Sequence, residues 1–393
     1  MTGQKNYKKT LVACYLGFVT QAISANFTPL LFLTFKSTYE IGLETIAMIP
    51  LVFYLTQLLI DCAATKFVDK IGYRVCVVFS QVLSAVGLAS MAFLPELLPV
   101  PFSGILISVV LYAMGSGLIE VLVSPIVEAC PFENKNGMMS LLHSFYCWGA
   151  VGVILGSTLF FAAFGVENWK ILTLIWAAVP LYNAFNFLSC PIERLVEDGE
   201  SMRPGQLLRL PLFWLLILLM LCAGASEASM AQWASAFTES AMGVSKTVGD
   251  LAGPCLFAAF MGISRIAYGK LSEKLDLPKT MLGCGVLCVL CYLTAALSSL
   301  PMIGLAGCAF CGVAVSILWP GTISVSSRKC PRGGTAMFAF LALAGDFGAT
   351  VSPAMVGSIS NMAGGDLKIG LLFATVFPLM LVLGLILLCR KPK

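Results

Sequence analysis

Long apolar segments recur along the whole chain, and short polar connections separate them. A helix needs about 20 apolar residues to cross the hydrocarbon core of a bilayer, and windows of that length recur throughout. The pattern predicts an all-α polytopic membrane protein of twelve transmembrane helices. The predicted spans lie near residues 11–35, 45–66, 74–94, 103–128, 138–164, 169–190, 209–238, 248–269, 280–299, 302–325, 334–361 and 369–389.

The composition agrees with this pattern. Hydrophobic residues make up 59% of the chain and charged residues only 11%, with a mean hydropathy of +0.92. A soluble domain carries about 25% charged residues, so we expect most of the surface to contact the lipid bilayer. The segment before the first span leads directly into a full-length apolar stretch, which is longer than the apolar region of a signal peptide. We therefore expect the first helix to be retained.

The same composition argues against several other classes. The basic residues behind the net charge of +4 are spread over short loops, so we expect no nucleic-acid partner. There is no nucleophile–base constellation and no GxxxxGK[ST] phosphate loop, so we expect no enzyme and no cofactor. Cys308 and Cys311 form a CxxC within an apolar span, without histidines nearby in sequence. We interpret them as small buried hydrophobic residues.

The lysines and arginines predict an orientation. Basic residues accumulate in the cytoplasmic loops of membrane proteins, and placing both termini in the cytoplasm accounts for their distribution here. We expect a multi-pass protein of the inner or plasma membrane. The loops predicted to be cytoplasmic contain Lys66, Lys70, Arg74, Lys135, Arg194, Arg203, Lys270, Lys274, Lys279, Arg328, Lys329 and Arg332, whereas the opposite side has Lys36, Lys170, Lys246 and Lys368.

The two halves of the chain resemble each other. Pro50 and Pro254 begin the second helix of each half, and Gly117 and Gly312 each precede a proline at the same spacing. A repeat of six plus six helices is typical of transporters whose site lies between the halves near mid-membrane. The predicted domains are residues 1–190, a charged cytoplasmic linker at 191–208, and residues 209–393.

A charged loop motif follows the second helix of each half. Asp69 is followed by Gly72 and Arg74, and Glu273 occupies the equivalent place in the second half. This pattern resembles the loop motif of the major facilitator superfamily. We interpret these three charged residues as a gating latch, in which a carboxylate pairs with basic groups or a helix N-terminus in one state. An ordinary charged loop is the alternative.

Three further stretches are similar to the fucose:proton symporter family within that superfamily. They are Gly115–Glu120 with the following Ser124-Pro125, Leu142-His143 with the following Gly-Ala, and Ser316–Pro320. The resemblance implies the twelve-helix fold of that superfamily, a sugar substrate and a proton carrier at Glu120. Ser124 stands where that family has asparagine.

Charged side chains inside apolar spans are functional candidates because burying them in the membrane is costly. Glu120 lies mid-helix among apolar neighbours and is our first candidate for proton coupling. We assign His143 and Asp346 to the same group, His143 as a proton relay. A packed, structural role is the alternative for each of them.

Asp61 and Arg265 occupy equivalent positions in the two halves and carry opposite charges. We interpret both as gating residues that close across the halves. The alternative is that each bonds within its own half, with Asp346 as one partner for Arg265.

Polar and aromatic residues complete a predicted sugar site. Amides offer donors and acceptors to neighbouring hydroxyls, and an indole can stack on the apolar face of a pyranose. For each tryptophan, core packing or anchoring at the lipid interface is the alternative. The predicted substrate-binding residues are Gln21, Asn26, Gln57, Glu227, Gln232, Trp233 and Trp319.

The leading hypothesis is a monomeric secondary transporter that takes up a small hydroxylated solute, most simply a carbohydrate, by symport with protons. Sodium is the alternative coupling ion. An exporter of drugs or metabolites by proton antiport is the main alternative function; an uncoupled facilitator and a non-transporting membrane sensor are further ones.

Overall fold

Helices joined by short turns make up the computed structural model of this protein, which describes residues 6–41, 43–46, 48–193, 201–242, 251–364 and 366–390. No β-strand occurs in those ranges. The first helices are α1 Tyr7–Asn26, α2 Phe32–Tyr39, α3 Leu43–Ile46, α4 Met48–Ile71, α5 Tyr73–Met91, α6 Leu94–Leu97, α7 Pro101–Ala129, α8 Lys135–Phe164 and α9 Trp169–Ser189. The later ones are α10 Pro204–Leu207, α11 Pro211–Met242, α12 Leu256–Leu271, α13 Leu277–Leu297, α14 Pro301–Val315, α15 Leu318–Lys329, α16 Gly334–Met362, α17 Leu367–Ala374 and α18 Val376–Arg390.

Within the described residues, 11 helical segments are long and apolar enough to cross a membrane, which confirms the predicted all-α membrane fold. The predicted span at 248–269 begins outside the described residues. Its described part is a π-helical turn, Leu251–Cys255, followed by α12. The 11 segments are Tyr7–Leu31, Met48–Ile71, Tyr73–Met91, Pro101–Ala129, Lys135–Phe164, Val166–Ser189, Pro211–Ala234, Leu277–Leu297, Pro301–Lys329, Gly334–Met362 and Leu367–Cys389.

Prolines interrupt two of the apolar segments that the sequence presents as continuous. Pro320 has no N–H, so the carbonyl one turn earlier, that of Ser316, loses its helical donor. The helix accordingly breaks between α14 and α15. In the same way, Pro378 leaves the carbonyl of Ala374 without a helical donor, and the helix breaks at Thr375 between α17 and α18. Pro125 of α7, by contrast, is accommodated inside one long helix.

The chain forms two compact units. Unit 1 comprises Met1–Pro131, Phe145–Ser201 and Gly334–Ala339, and unit 2 comprises Phe132–Ser144, Met202–Gly333 and Phe340–Lys393. Helices α8 and α16 therefore contribute residues to both units. The predicted division at 191–208 stays a prediction, and residues 194–200 of that linker lie outside the described part of the chain.

Large apolar side chains fill the interior of unit 1. Phe27, Phe53, Leu88 and Trp169 are buried against one another's helices, and the Tyr112 hydroxyl bonds to the Thr28 hydroxyl at 2.8 Å. Lipid tails are as apolar as these side chains, so helix association in a bilayer depends on close packing and on hydrogen bonds. The buried tyrosine supplies one such bond.

Small residues bring two helices of unit 2 into backbone contact. A Cβ atom added to Gly224 of α11 would lie 2.2 Å from the carbonyl oxygen of Gly345 in α16. A Cβ added to Gly348 would lie 2.2 Å from the carbonyl oxygen of Leu221. Helices that approach this closely require small residues at the contact, so these glycines determine how α11 and α16 pack.

Replacing Gly224 by alanine is expected to destabilise the protein by about 1–3 kcal/mol, because overpacking a tight contact has that cost. The measurement is the melting temperature of the purified protein. Gly283→Ala in α13 is the matched control, since nothing lies within 4 Å of a Cβ added there. Equal melting temperatures for the two variants would contradict the close contact.

Candidate functional site

The Glu120 carboxylate is the centre of a polar cluster in unit 1. Gln21 of α1 donates its amide N–H to Oε2 of Glu120 at 2.6 Å, and Gln57 of α4 donates to the same oxygen at 2.5 Å. The two glutamines are only 6% and 4% exposed, whereas Glu120 is half-buried. Three helices thus bring together residues that the sequence assigned separately to proton coupling and to substrate binding.

The sequence of α7 explains how this cluster is positioned. Ile119 and Val121, on either side of Glu120, are fully buried. Gly117 allows α4 to approach, because a Cβ there would lie 3.2 Å from the Gln57 carbonyl oxygen. The small residue in α7 therefore lets the Gln57 side chain reach the carboxylate.

The cluster combines a titratable carboxyl with two neutral amide donors. Hydrogen bonds to a charged group are shorter and stronger than those between neutral groups. Here two neutral amides hold a titratable carboxyl in place within an apolar span.

Asp61 lies one turn along α4 from Gln57. Its side chain is fully buried, and Oδ1 lies 3.3 Å from the position of a Cβ on Gly117. The predicted gating aspartate thus packs against the same stretch of α7 that carries Glu120.

Arg265 of α12 is the centre of a second polar cluster, in unit 2. Its Nε donates to the Ser316 carbonyl at 2.8 Å, and Nη1 donates to the His143 carbonyl at 3.0 Å. Its Nη2 lies 3.2 Å from Oε2 of Glu227 in α11 and forms an ion pair. The arginine side chain is 4% exposed and the glutamate 24%. The guanidinium therefore joins α8, α11, α12 and the α14–α15 break.

The helix break supplies one of these acceptors. Because Pro320 lacks an N–H, the Ser316 carbonyl has no helical donor, and the Arg265 guanidinium occupies that place. The Ser316 hydroxyl also lies 2.9 Å from the hydroxyl of Ser264 in α12. The proline thus creates a backbone acceptor where the buried arginine needs one.

The first turns of α8 pack along α12 within unit 2. Ser140 donates its hydroxyl to the carbonyl of Arg265 at 2.8 Å. A Cβ added to Gly137 would lie 2.5 Å from the Gly269 carbonyl oxygen. At the end of α12, Ser272 donates to Oδ1 of Asn134 at 2.8 Å. These contacts hold the N-terminal segment of α8, Lys135–Ser144, against α12.

The predicted latch residues occupy different surroundings. Asp69 Oδ1 accepts a hydrogen bond from Thr335 at 2.6 Å, and the same hydroxyl lies 2.6 Å from the Tyr73 hydroxyl. Arg74 instead donates to the carbonyls of Phe187 and Leu188 in α9 and of Cys190 just after it, at 2.8–2.9 Å. A cation at this helix end complements the helix dipole. Glu273 lines a cavity of about 290 Å³ in unit 2.

Both predicted substrate-stacking tryptophans rest on small residues of α16. Trp233 donates its Nε1–H to the Pro353 carbonyl at 2.9 Å, and its ring faces Gly357. The Trp319 ring packs against Gly345. Both indoles are half-buried.

The remaining predicted residues are placed as follows. Asn26 donates to the Ala22 carbonyl of its own helix at 2.9 Å, and Gln232 is exposed. Asp346 is half-buried, and the His143 side chain is buried in unit 2. The relay between Glu120 and His143 stays a prediction.

Sequence reasoning missed several residues that the structure brings into these clusters. It offered Asp346 as one partner of Arg265 and did not offer Glu227, which the structure places 3.2 Å from the guanidinium. It also missed Thr335, whose hydroxyl donates to the loop carboxylate of Asp69. The carbonyl of Ser316 had a signal in the sequence, because a proline one turn later marks an unpaired backbone acceptor.

Comparisons with known proteins agree with this architecture. The family model of the Major Facilitator Superfamily matches residues 13–353 and 255–392. The E. coli fucose:proton symporter FucP is 15% identical, with 98% of each chain covered and a TM-score of 0.82. The proton:xylose symporter XylE is 11% identical over 98% of this chain and 96% of its own, with a TM-score of 0.83. A bacterial homologue of the iron transporter ferroportin is 15% identical over 98% and 99%, with a TM-score of 0.77.

At identities of 11–15% these structural likenesses show the fold alone. No curated protein sequence matches the chain.

The hydrogen bond between Gln57 and Glu120 is testable by a double-mutant cycle. Gln57→Leu is expected to lower the free energy of unfolding by about 1.5–3 kcal/mol, the range for a hydrogen bond to a charged group. The same change should have little effect in a Glu120→Leu background, so the two substitutions should be coupled. Unfolding in denaturing detergent measures both effects. Gln232→Leu, at an exposed amide, is the control, and additive effects of the pair would argue against the bond.

Proposed function

Because the chain belongs to the major facilitator superfamily, we propose that it is a secondary active transporter that takes up a small hydroxylated solute, of the sugar class, together with protons. Family membership and the membrane-spanning helices make it a multi-pass transport protein. The observation that carries the finer proposal is the Glu120 carboxyl, held by two glutamine amides inside an apolar span.

Glu120 is the proposed proton site. Its two amide partners are neutral, so protonating the carboxyl breaks no ion pair with either of them. Gln21 and Gln57 contact this carboxyl and also have amide groups of the kind that bind sugar hydroxyls. A solute hydroxyl that competes for either glutamine would therefore alter the surroundings of the proton site. This shared use of two amides is our proposed physical basis for coupling.

The solute contacts that we propose in unit 2 are the indoles of Trp233 and Trp319 and the carboxylate of Glu227. Both indoles are supported by α16, one by a hydrogen bond and one by ring packing. Rigid aromatic faces suit the apolar face of a pyranose. FucP and XylE, which share the fold, are proton symporters for fucose and xylose, and this supports the proposed solute class.

Alternating access requires contacts that form in one state and break in another. We propose that two sets have this role: the hydrogen bond between Asp69 and Thr335, and the packing of the α8 segment along α12. Both lie at ends of helices that the basic residues predict to be cytoplasmic. We further propose that the protein works as a monomer in the inner or plasma membrane, with both termini in the cytoplasm. We propose that a proton gradient drives transport and that no cofactor is needed.

Glu120→Gln is expected to abolish accumulation of solute driven by a proton gradient while leaving solute exchange at equilibrium. The amide keeps the shape of the side chain but cannot carry the proton. The measurement uses purified protein in liposomes with an acidic exterior and a panel of labelled pentoses, hexoses and 6-deoxyhexoses. Accumulation ratios and counterflow are compared for each sugar.

Glu96→Gln is the matched control, because that carboxylate forms an exposed ion pair with Lys170. It should accumulate solute as the unaltered protein does. Full accumulation by Glu120→Gln would refute the proton role of Glu120. Solute efflux driven by the same gradient would favour the exporter. Accumulation that requires a sodium gradient and not a proton gradient would identify sodium as the coupling ion.

A further inference from the structure

The Arg265 guanidinium connects a charged group to a backbone contact in a neighbouring helix. We propose that Arg265 is a positioning residue of the transport cycle, through which occupancy of Glu227 controls the packing of the α8 segment Lys135–Ser144 on α12. The inference rests on the proposed function and adds how solute binding at Glu227 would change the packing of the α8 segment on α12. Arg265 itself is not required to touch the solute.

The position of Arg265 along the α8–α12 contact supports this assignment. From the end of α12 inward, the α8 segment is held at Asn134, at Gly137 and at Ser140. Arg265 provides the innermost contact, because its backbone carbonyl accepts from Ser140 while its guanidinium donates to the His143 carbonyl at 3.0 Å. Displacement of the guanidinium therefore breaks the contact with His143, one turn along α8 from the Ser140 contact with the Arg265 backbone.

The exposures of the ion pair indicate which member a solute would reach. Glu227 is 24% exposed, whereas Arg265 is 4% exposed. A hydroxylated solute can therefore approach the carboxylate, and the arginine stays behind it. A solute hydroxyl that takes over Oε2 of Glu227 competes directly with the Nη2 of Arg265.

The geometry of the guanidinium transmits that competition. Its N–H groups are fixed in one plane, so Nη2 cannot shift away from Glu227 unless Nη1 and Nε shift as well. Those two groups hold the carbonyls of His143 and Ser316. Competition for Glu227 therefore disturbs the whole guanidinium and not one N–H group alone. Weakening the Glu227 ion pair therefore loosens the α8 segment.

Hydrogen exchange of backbone amides tests this directly in the full-length protein. Arg265→Lys keeps the charge but lacks the planar fork, and Glu227→Gln keeps the shape but lacks the charge. Each is expected to speed exchange within residues 135–144 by on the order of tenfold, the effect of losing one hydrogen bond to a charged group. Melting temperatures establish whether each variant is folded. If Arg265→Lys does not fold, Glu227→Gln alone tests the proposal.

Arg74→Lys is the matched control, because that guanidinium also holds backbone carbonyls, at the end of α9. It should speed exchange at the end of α9 and leave residues 135–144 unchanged. Exchange that rises evenly across unit 2, including α13 and α14, would show that Arg265 is merely structural. Unchanged exchange in both Arg265→Lys and Glu227→Gln would also overturn the proposal.

Transport kinetics separate this inference from the proposed function. Glu227→Gln is expected to raise KM for the solute about tenfold, whereas Arg265→Lys should lower the maximal rate about tenfold with little change in KM. The exchange experiment needs neither solute nor gradient. Failure of the unaltered protein to accumulate any sugar would therefore count against the proposed function alone. If the two variants alter hydrogen exchange but do not differ in their effects on KM and on the maximal rate, the proposed role of Arg265 in the transport cycle is wrong.

Discussion

The absence of water from the hydrocarbon core of a bilayer is the constraint on which the rest of this structure depends. Every backbone N–H and carbonyl, and every charged side chain, must find its partner within the protein. Pro320 removes one backbone donor, and the Ser316 carbonyl is satisfied by the Arg265 guanidinium. One buried arginine thereby meets two requirements, since it satisfies a helix break and also neutralises Glu227. The same arginine therefore compensates for both the helix break at Ser316 and the half-buried carboxylate of Glu227.

Close packing supplies the geometry that these polar contacts need. Without a hydrophobic driving force between helices in lipid, small residues determine where two backbones meet. Gly117 lets α4 approach α7 near Glu120, Gly137 lets α8 approach α12 near Arg265, and Gly224 joins α11 to α16. A larger residue at any of these positions would separate the helices that carry interacting side chains. The glycines thus belong to the candidate sites although none of them has a chemical group to offer.

The sequence was sufficient for the fold class and for the identity of the charged candidates. Apolar length predicts the spans, and the cost of burying charge in lipid draws attention to Glu120 and Arg265. Their partners could not be predicted, because pairing depends on how far each helix is rotated about its axis. Arg265 illustrates this, since nothing in the sequence indicated its 3.2 Å contact with Glu227, which is a result of packing. The helix breaks near Pro320 and Pro378 could have been predicted from the missing N–H of each proline. Pro125, however, lies inside the continuous helix α7, so a proline alone does not cause a break.

The two clusters differ in what a change of charge would do to them. The acceptor Glu120 is held by amides that carry no net charge, so a proton there alters hydrogen bonding around one side chain. The acceptor Glu227 faces a guanidinium that is more deeply buried than itself and that also holds two backbone carbonyls. Neutralising or occupying Glu227 therefore acts on the backbone of other helices through Arg265. A carboxyl held by two neutral amides suits a group that must bind and release protons repeatedly. A carboxylate paired with a fixed cation suits a group whose occupancy has to be sensed elsewhere in the protein. On this physical ground we propose proton exchange for the first cluster and conformational control for the second.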